Sequence, residues 1–185
     1  DPARWGTVDN LTINIEDCEA NITPSYPTSQ KVNRAFTLNM NGDVKTHFSV
    51  PKNASGYAST VNLNGNITLT GDCKSYSGNS TAVNVKGNVK TQAGTNVYLN
   101  GINAINVDGG SLQLGDAATK AEGGISGSGT TIVSLKNKGK LNFAYAPQTE
   151  SKRTIYKLAT DTTDTELSIM YDYNGTSTAP AGRPL

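Results

Sequence analysis

The chain has 185 residues, and its 16 Lys and Arg against 15 Asp and Glu leave a formal net charge of +1. This size suits one domain, or a domain with a tail. The balance excludes a strongly basic nucleic-acid binder and an acidic tail protein, and no apolar run approaches the roughly 18 residues of a membrane helix. Charged residues make up 17%. Asn, Thr, Ser and Gly are abundant with Val and Ile set among them, which favours strands over helices and a secreted or surface-exposed all-β protein.

In chain order, Leu11, Ile13 and Ile15 alternate with polar residues and predict a strand with one buried face, running into Cys18. Residues 21–33 read as a loop. Phe36, Leu38 and Met40 alternate again, Asn41-Gly42-Asp43 is a turn signal, and Lys45–Val50 reads as the returning strand. The clearest run is Val61, Leu63, Gly65, Ile67 and Leu69, a period of two that predicts one long strand. Further short strands follow at Val83 and Val85, Val97 and Leu99, Ile105 and Val107, and Leu112 and Leu114. Residues 115–129 read as a flexible glycine-rich loop. Thr131–Leu135 and Leu141–Tyr145 read as a hairpin about Asn137-Lys138-Gly139, and Thr154–Ala159 and Leu167–Tyr173 as the last strands.

This gives roughly ten to twelve short strands, for which a sandwich or barrel is the expected architecture. The alternative is a β-solenoid, whose stacked coils also give frequent short strands but demand a fixed repeat. Glycine and polar punctuation recurs here without a stable repeat length, so the sandwich leads. The division expected is a short segment over 1–7, a single sandwich domain over 8–173, and a tail or linker over 174–185.

Candidate chemistry is sparse. Cys18 and Cys73 allow one disulfide in an oxidising compartment, or stand as two separate buried thiols. Two Cys and one His are too few for a zinc site. His47 lies in a strand-like stretch without a Gly-x-Ser-x-Gly elbow, and reads as a surface or packing residue. The acidic groups about Cys18 and about Asp161 match no calcium loop. The glycine run 123–129 lacks the Gly-Lys-Ser/Thr ending of a phosphate loop. No catalytic constellation or cofactor site emerges, so an enzyme is not expected. Tyr26, Tyr57 and Tyr76 lie in polar loops, where exposed tyrosine suits stacking on sugars or packing on proteins; capping a thin core is the competing role. Lys136, Lys138 and Lys140 cluster at a predicted tip, with Lys152-Arg153 further on; these could meet an anionic sugar or phosphate, or stand as solvated charges. Six Asn-x-Ser/Thr sequons are present, at Asn10, Asn21, Asn53, Asn66, Asn79 and Asn174. A chain this rich in these residues produces several by chance.

Taken in order, several segments resemble chaperone–usher fimbrial subunits of the type 1 pilin family. They are the strand running from Val8 into Cys18, the segment Asn66-Ile-Thr-Leu-Thr-Gly-Asp-Cys73, and Val83-Asn-Val-Lys-Gly87. Gly110-Ser-Leu-Gln-Leu-Gly-Asp116, Leu141-Asn-Phe-Ala-Tyr145 and Thr165–Tyr173 complete the set. The resemblance implies an immunoglobulin-like sandwich lacking one strand, with a Cys18–Cys73 bridge tying the first strand to the body. The missing strand would come from a neighbouring fimbrial subunit, or from a periplasmic chaperone before assembly. The location implied is the bacterial surface, reached through the periplasm, with no nucleic acid and no membrane insertion. Three departures stand out: few residues precede Val8, twelve follow Tyr173, and the cysteines are widely spaced. They suggest a subunit with its donor segment removed or a tip subunit, and an inserted surface that leaves open an adhesin binding a host glycan or host protein. A third reading is a solenoid passenger segment of an autotransporter, which Ile125-Ser-Gly-Ser-Gly-Thr and Gly139-Lys-Leu resemble.

Overall fold

The computed structural model describes residues 10–23, 34–51, 56–76, 80–126, 131–147, 149, 152, 155–161 and 163–169. Its described residues form seventeen strands and no helix. The first coil contains β1 (Asn10–Glu16). The second contains β2 (Ala35–Asn41), β3 (Asp43–Thr46) and β4 (Ser49–Val50). The third contains β5 (Ala58–Leu63), β6 (Asn66–Leu69) and β7 (Cys73–Ser75). The fourth contains β8 (Ser80–Val85), β9 (Asn88–Thr91) and β10 (Val97–Asn100). The fifth contains β11 (Ala104–Asp108), β12 (Ser111–Leu114) and β13 (Gly123–Ser126). The sixth contains β14 (Ile132–Lys136) and β15 (Lys140–Phe143), and the seventh β16 (Lys157–Thr160) and β17 (Glu166–Ile169).

The strands of successive coils align in three sheets. The first sheet is ordered β1-β2-β5-β8-β11-β14-β16, the second β17-β15-β12-β9-β6-β3, and the third β13-β10-β7-β4. Every strand pair is parallel. Parallel neighbours need a long crossover, and here the rest of the coil supplies it. The molecule is therefore a three-sided β-solenoid, and the expected immunoglobulin-like sandwich, whose sheets are antiparallel, is not what the chain forms. Donor-strand assembly rested on that sandwich and loses its structural premise with it.

Alternation decides which side of each strand faces in. Ile13, Leu38, Val61, Val83, Ile105 and Val133 form one interior column in register, with which Leu158, 40% exposed, aligns in the seventh coil. Val44, Ile67, Val89, Leu112, Leu141 and Leu167 form another on the second sheet. Leu38, Val61, Val83 and Ile105 are at most 1% exposed, and burying such a side chain stabilises by about 1.5–3 kcal/mol. Buried hydroxyls at strand ends are matched: Thr91 Oγ1, at the end of β9, donates to the Gly115 carbonyl at 2.9 Å, and Thr131 Oγ1, just before β14, to that of Ile102 at 2.6 Å.

Outside the first sheet, asparagines stack in the same way. Asn39 donates to Asn14 at 2.7 Å, Asn62 to Asn39 at 2.7 Å, Asn84 to Asn62 at 2.8 Å, and Asn106 to Asn84 at 2.8 Å. Each internal amide thus gives one hydrogen bond to the coil before it and takes one from the coil after, as in side-chain ladders of in-register sheets. Ser134 occupies the next position, and the ladder of amides ends there.

The corner between the first and second sheets is built from glycine. Gly42 has φ +64°, a left-handed turn that suits glycine. A Cβ on Gly65 would overlap the Gly42 carbonyl, one on Gly87 the Gly65 carbonyl, and one on Gly110 the Gly87 carbonyl. The long strand expected over Val61–Leu69 is therefore two strands, β5 and β6, with Asn64-Gly65 turning the chain between them. The alternation survives because the turn advances the pattern without inverting it. Likewise Asn137-Lys138-Gly139 is a corner and not a hairpin tip: β14 lies in the first sheet and β15 in the second. Lys45–Val50 splits between β3 and β4 and does not return along β2.

Two further expectations change. The segment read as a flexible loop over 115–129 contains β13, whose Gly123, Gly124 and Ile125 are buried, and an ordered turn closed by an Asp116–Ala121 bridge. Cys18 and Cys73 are separate free thiols. Cys18 lies in the first coil, its carbonyl accepting from Lys45 N at 3.0 Å, and Cys73 lies in β7 of the third coil. Two coil steps place them roughly 10 Å apart along the axis, beyond the reach of about 7 Å between Cα atoms that a disulfide spans. Residues 1–7 and 174–185, assigned as terminal segments, lie outside the described residues.

Two outcomes follow. Gly87→Ala should destabilise the chain by about 1–3 kcal/mol in guanidinium unfolding, because backbone must shift to make room, whereas Gly71→Ala, whose Cβ would sit 3.5 Å from the His47 ring, should stay within about 0.5 kcal/mol. Burial also pushes the Cys73 thiol up to about 12, so a thiol reagent at pH 8 should label Cys18 alone in the native chain and both after denaturation. A reductant should leave the unfolding midpoint where it is.

Candidate binding face

The third sheet differs from the other two in what its outer side displays. The first sheet shows mainly amides, with Lys86, Asp108 and Lys136 beside them in a shallow groove of about 430 Å³. The second shows amides, hydroxyls and Lys90. The third brings together His47, Asp72, Lys74, Tyr76, Asn96 and Tyr98 around an open groove of about 610 Å³. Gly71, which carries no side chain, lines it at the bend before β7.

The coil register explains this gathering. Tyr98 is the outward residue between buried Val97 and Leu99 of β10, and the register of β10 on β7 sets it beside Asp72. Tyr98 N donates to Asp72 Oδ1 at 3.0 Å, and Asn100 Nδ2 donates to Asp72 Oδ2 at 3.4 Å. From the next coil, Glu122 Oε2 accepts the Tyr98 hydroxyl at 2.5 Å. Lys152 lies over the ring, its Nζ 4.3 Å from the centroid and 3.3 Å from the hydroxyl oxygen. Gly124 clears the space that the ring needs, since a Cβ there would press on Tyr98 and Pro147. Burial, and then the hydrogen bond to Glu122, push the Tyr98 phenol well above its ordinary range, so it stays a donor.

Elsewhere on this face Lys74 Nζ lies 3.8 Å from Asp72 Oδ2, so the two charges largely offset one another. His47 Nδ1 lies 3.4 Å from Thr70 Oγ1. Among the described residues, no group of three or more His, Cys, Asp and Glu side chains is placed to hold a metal ion.

The candidates from the sequence fall in different places. Tyr76 follows β7 and lines the groove. Tyr57 is exposed just before β5, and Tyr26 lies outside the described residues. The three lysines flank the first corner of the sixth coil and do not join the tyrosines. Lys136 lines the first-sheet groove, Lys138 N donates to Thr163 Oγ1 at 3.0 Å, and Lys140 pairs with Glu166 at 3.1 Å. With more than half of each side chain in water, that pair contributes less than about 1 kcal/mol. Sequence reasoning singled out Lys152 as a basic residue but missed Tyr98, Asp72 and Glu122. The available signal was Tyr98 at an outward position of a strand, a place where a large aromatic needs a partner.

No family model matches the chain, and no curated protein and no solved structure is significantly similar to it.

Asp161 holds the same sixth-coil corner from the coil above. It accepts from the Thr163 hydroxyl, from Asn137 N at 2.8 Å and from Thr163 N at 3.0 Å. The Thr163 and Asn137 hydrogen bonds lower its carboxyl below the usual range. A carboxyl with a depressed folded value adds stability that is complete above its unfolded value and fades as pH falls through the folded one. Asp161→Asn should therefore lower the thermal midpoint at pH 6. The gap from the parent should close as pH is taken from about 4 towards 2, as followed by circular dichroism.

Proposed function

We propose that this chain is a stretch of an extracellular β-solenoid of the autotransporter passenger kind. Its stacked coils would serve as a rigid scaffold that presents a binding face at a bacterial surface. The observation that carries this reading is the seven-coil parallel stack itself, with its interior columns in register and its outer faces covered by amides and hydroxyls. Solenoids of this type are sums of similar coils, so a surface can be extended without redesigning a globular core. The low charge and the scarcity of helix formers agree with an exported β protein. So do the segments Ile125-Ser126 and Gly139-Lys140-Leu141, which fall on β13 and on the corner into β15. The role is binding and scaffolding, with Asp72 and Glu122 holding Tyr98 in place on the face.

Protease shaving of intact cells that make the protein tests the display. Loss of the chain from unbroken cells is the expected result. Protection until the cells are lysed would overturn the reading.

A further inference from the structure

We infer that the groove on the third sheet is a saccharide site, and that its ligand is a neutral, hydroxyl-rich sugar. The inference deepens the reading of a binding solenoid and rests on it only for where the ligand is met.

Size comes first. A groove of about 610 Å³ falls in the range of about 300–1,000 Å³ that small-molecule sites occupy. Gly71, at the bend between β6 and β7, lines it without a side chain, beside the His47 ring. Tyr76 and Tyr98 stand among its lining residues, whereas the grooves of the first and second sheets have no aromatic lining residue. An aromatic side chain offers a sugar an apolar face to lie along while its hydroxyl stays polar.

Charge comes second. The groove holds Asp72 and Lys74 within 3.8 Å of one another, so an anionic ligand meets the carboxylate and a cationic one meets the ammonium. Neither gains. A ligand of hydroxyls gains from both: Asp72 accepts, Lys74 donates, and Asn96 and Thr70 do either. The Asp72 oxygens each receive one protein hydrogen bond, and a carboxylate oxygen has a further acceptor site left. Those bonds also fix the carboxylate before any ligand arrives, which reduces what must be ordered on binding. A peptide would instead seek a free strand edge or a deep apolar pocket, and this is the outer side of a sheet.

The test uses the purified full chain and four trisaccharide probes: cellotriose, maltotriose, chitotriose and the acidic trigalacturonate. Binding is read from amide chemical shifts. At least one neutral probe should shift the Gly71, Asp72 and Tyr98 amides. Tyr76→Ala should weaken it about tenfold or more. Gly71→Leu, which adds a side chain to the groove from a backbone free of left-handed strain, should do the same, with the thermal midpoint of each variant recorded. Lys86→Ala on the first sheet should leave it unchanged. The inference is overturned if no neutral probe shifts those amides at about 10 mM. It is equally overturned if trigalacturonate alone binds, or if Tyr76→Ala binds like the parent. Because the titration needs no cells, a negative result leaves surface display standing. A sugar-binding chain that stays protected inside cells would remove the display reading alone.

Discussion

Each coil of this chain must lie on the one before it at the spacing of neighbouring strands, about 4.8 Å, and with the same residue above the same residue. Most of the structure follows from that requirement. A column position that is aliphatic in one coil is aliphatic in the next, as with Leu38, Val61, Val83 and Ile105. A corner that turns tightly in one coil meets the backbone of the next, so Gly42, Gly65, Gly87 and Gly110 recur together. An outward amide finds its partner in the amide of the adjacent coil. Stability is distributed along an axis and not gathered around a centre.

The same requirement explains what could and could not be read from the residues. Alternation was legible: Leu11–Ile15, Phe36–Met40, Val83–Val85 and Ile105–Val107 are strands with the expected face turned inward, half-buried in the first and buried in the others. Connectivity was not, because alternation runs through a glycine corner unbroken, and Leu63-Asn64-Gly65-Asn66-Ile67 reads as one strand while turning between two sheets. The repeat was present in the ladder, whose members lie 25, 23, 22 and 22 residues apart. It was hidden because the coils differ in length. The connection from the second sheet to the third grows from two residues after β3 to three, five and eight after β6, β9 and β12. The resemblance to pilins drew on short aliphatic-x-aliphatic pieces, and a solenoid supplies these once or twice per coil. Tyr76 was visible as an aromatic in a polar setting. Tyr98 was not, because its partners Asp72, Glu122 and Lys152 lie 26, 24 and 54 residues away and meet it only through stacking.

The three faces divide the labour. The first two sheets repeat with little variation and keep one to three residues at their shared corner from the second coil to the sixth. Among the described residues the third sheet has four strands against seven and six, and longer connections enter it. Where repetition relaxes, unlike side chains come together: a histidine, two tyrosines, a carboxylate and an amine. A column of identical residues offers a ligand the same group again and again, whereas a mixed cluster can distinguish one ligand from another. It is consistent that the most chemically varied surface of the molecule is on its least regular side.

The asparagine ladder also has a direction. All four of its bonds run from Nδ2 of the later coil to Oδ1 of the earlier one. The amide dipoles therefore add head to tail, much as peptide dipoles add along a helix. Side-chain N–H groups of Asn14 face one end of the row and the Asn106 oxygen faces the other. The two ends of the ladder are electrically different, and each of its amides continues the row in the same sense. Hydrogen-bonded chains of this kind strengthen as they lengthen, so each added amide polarises those already in the row.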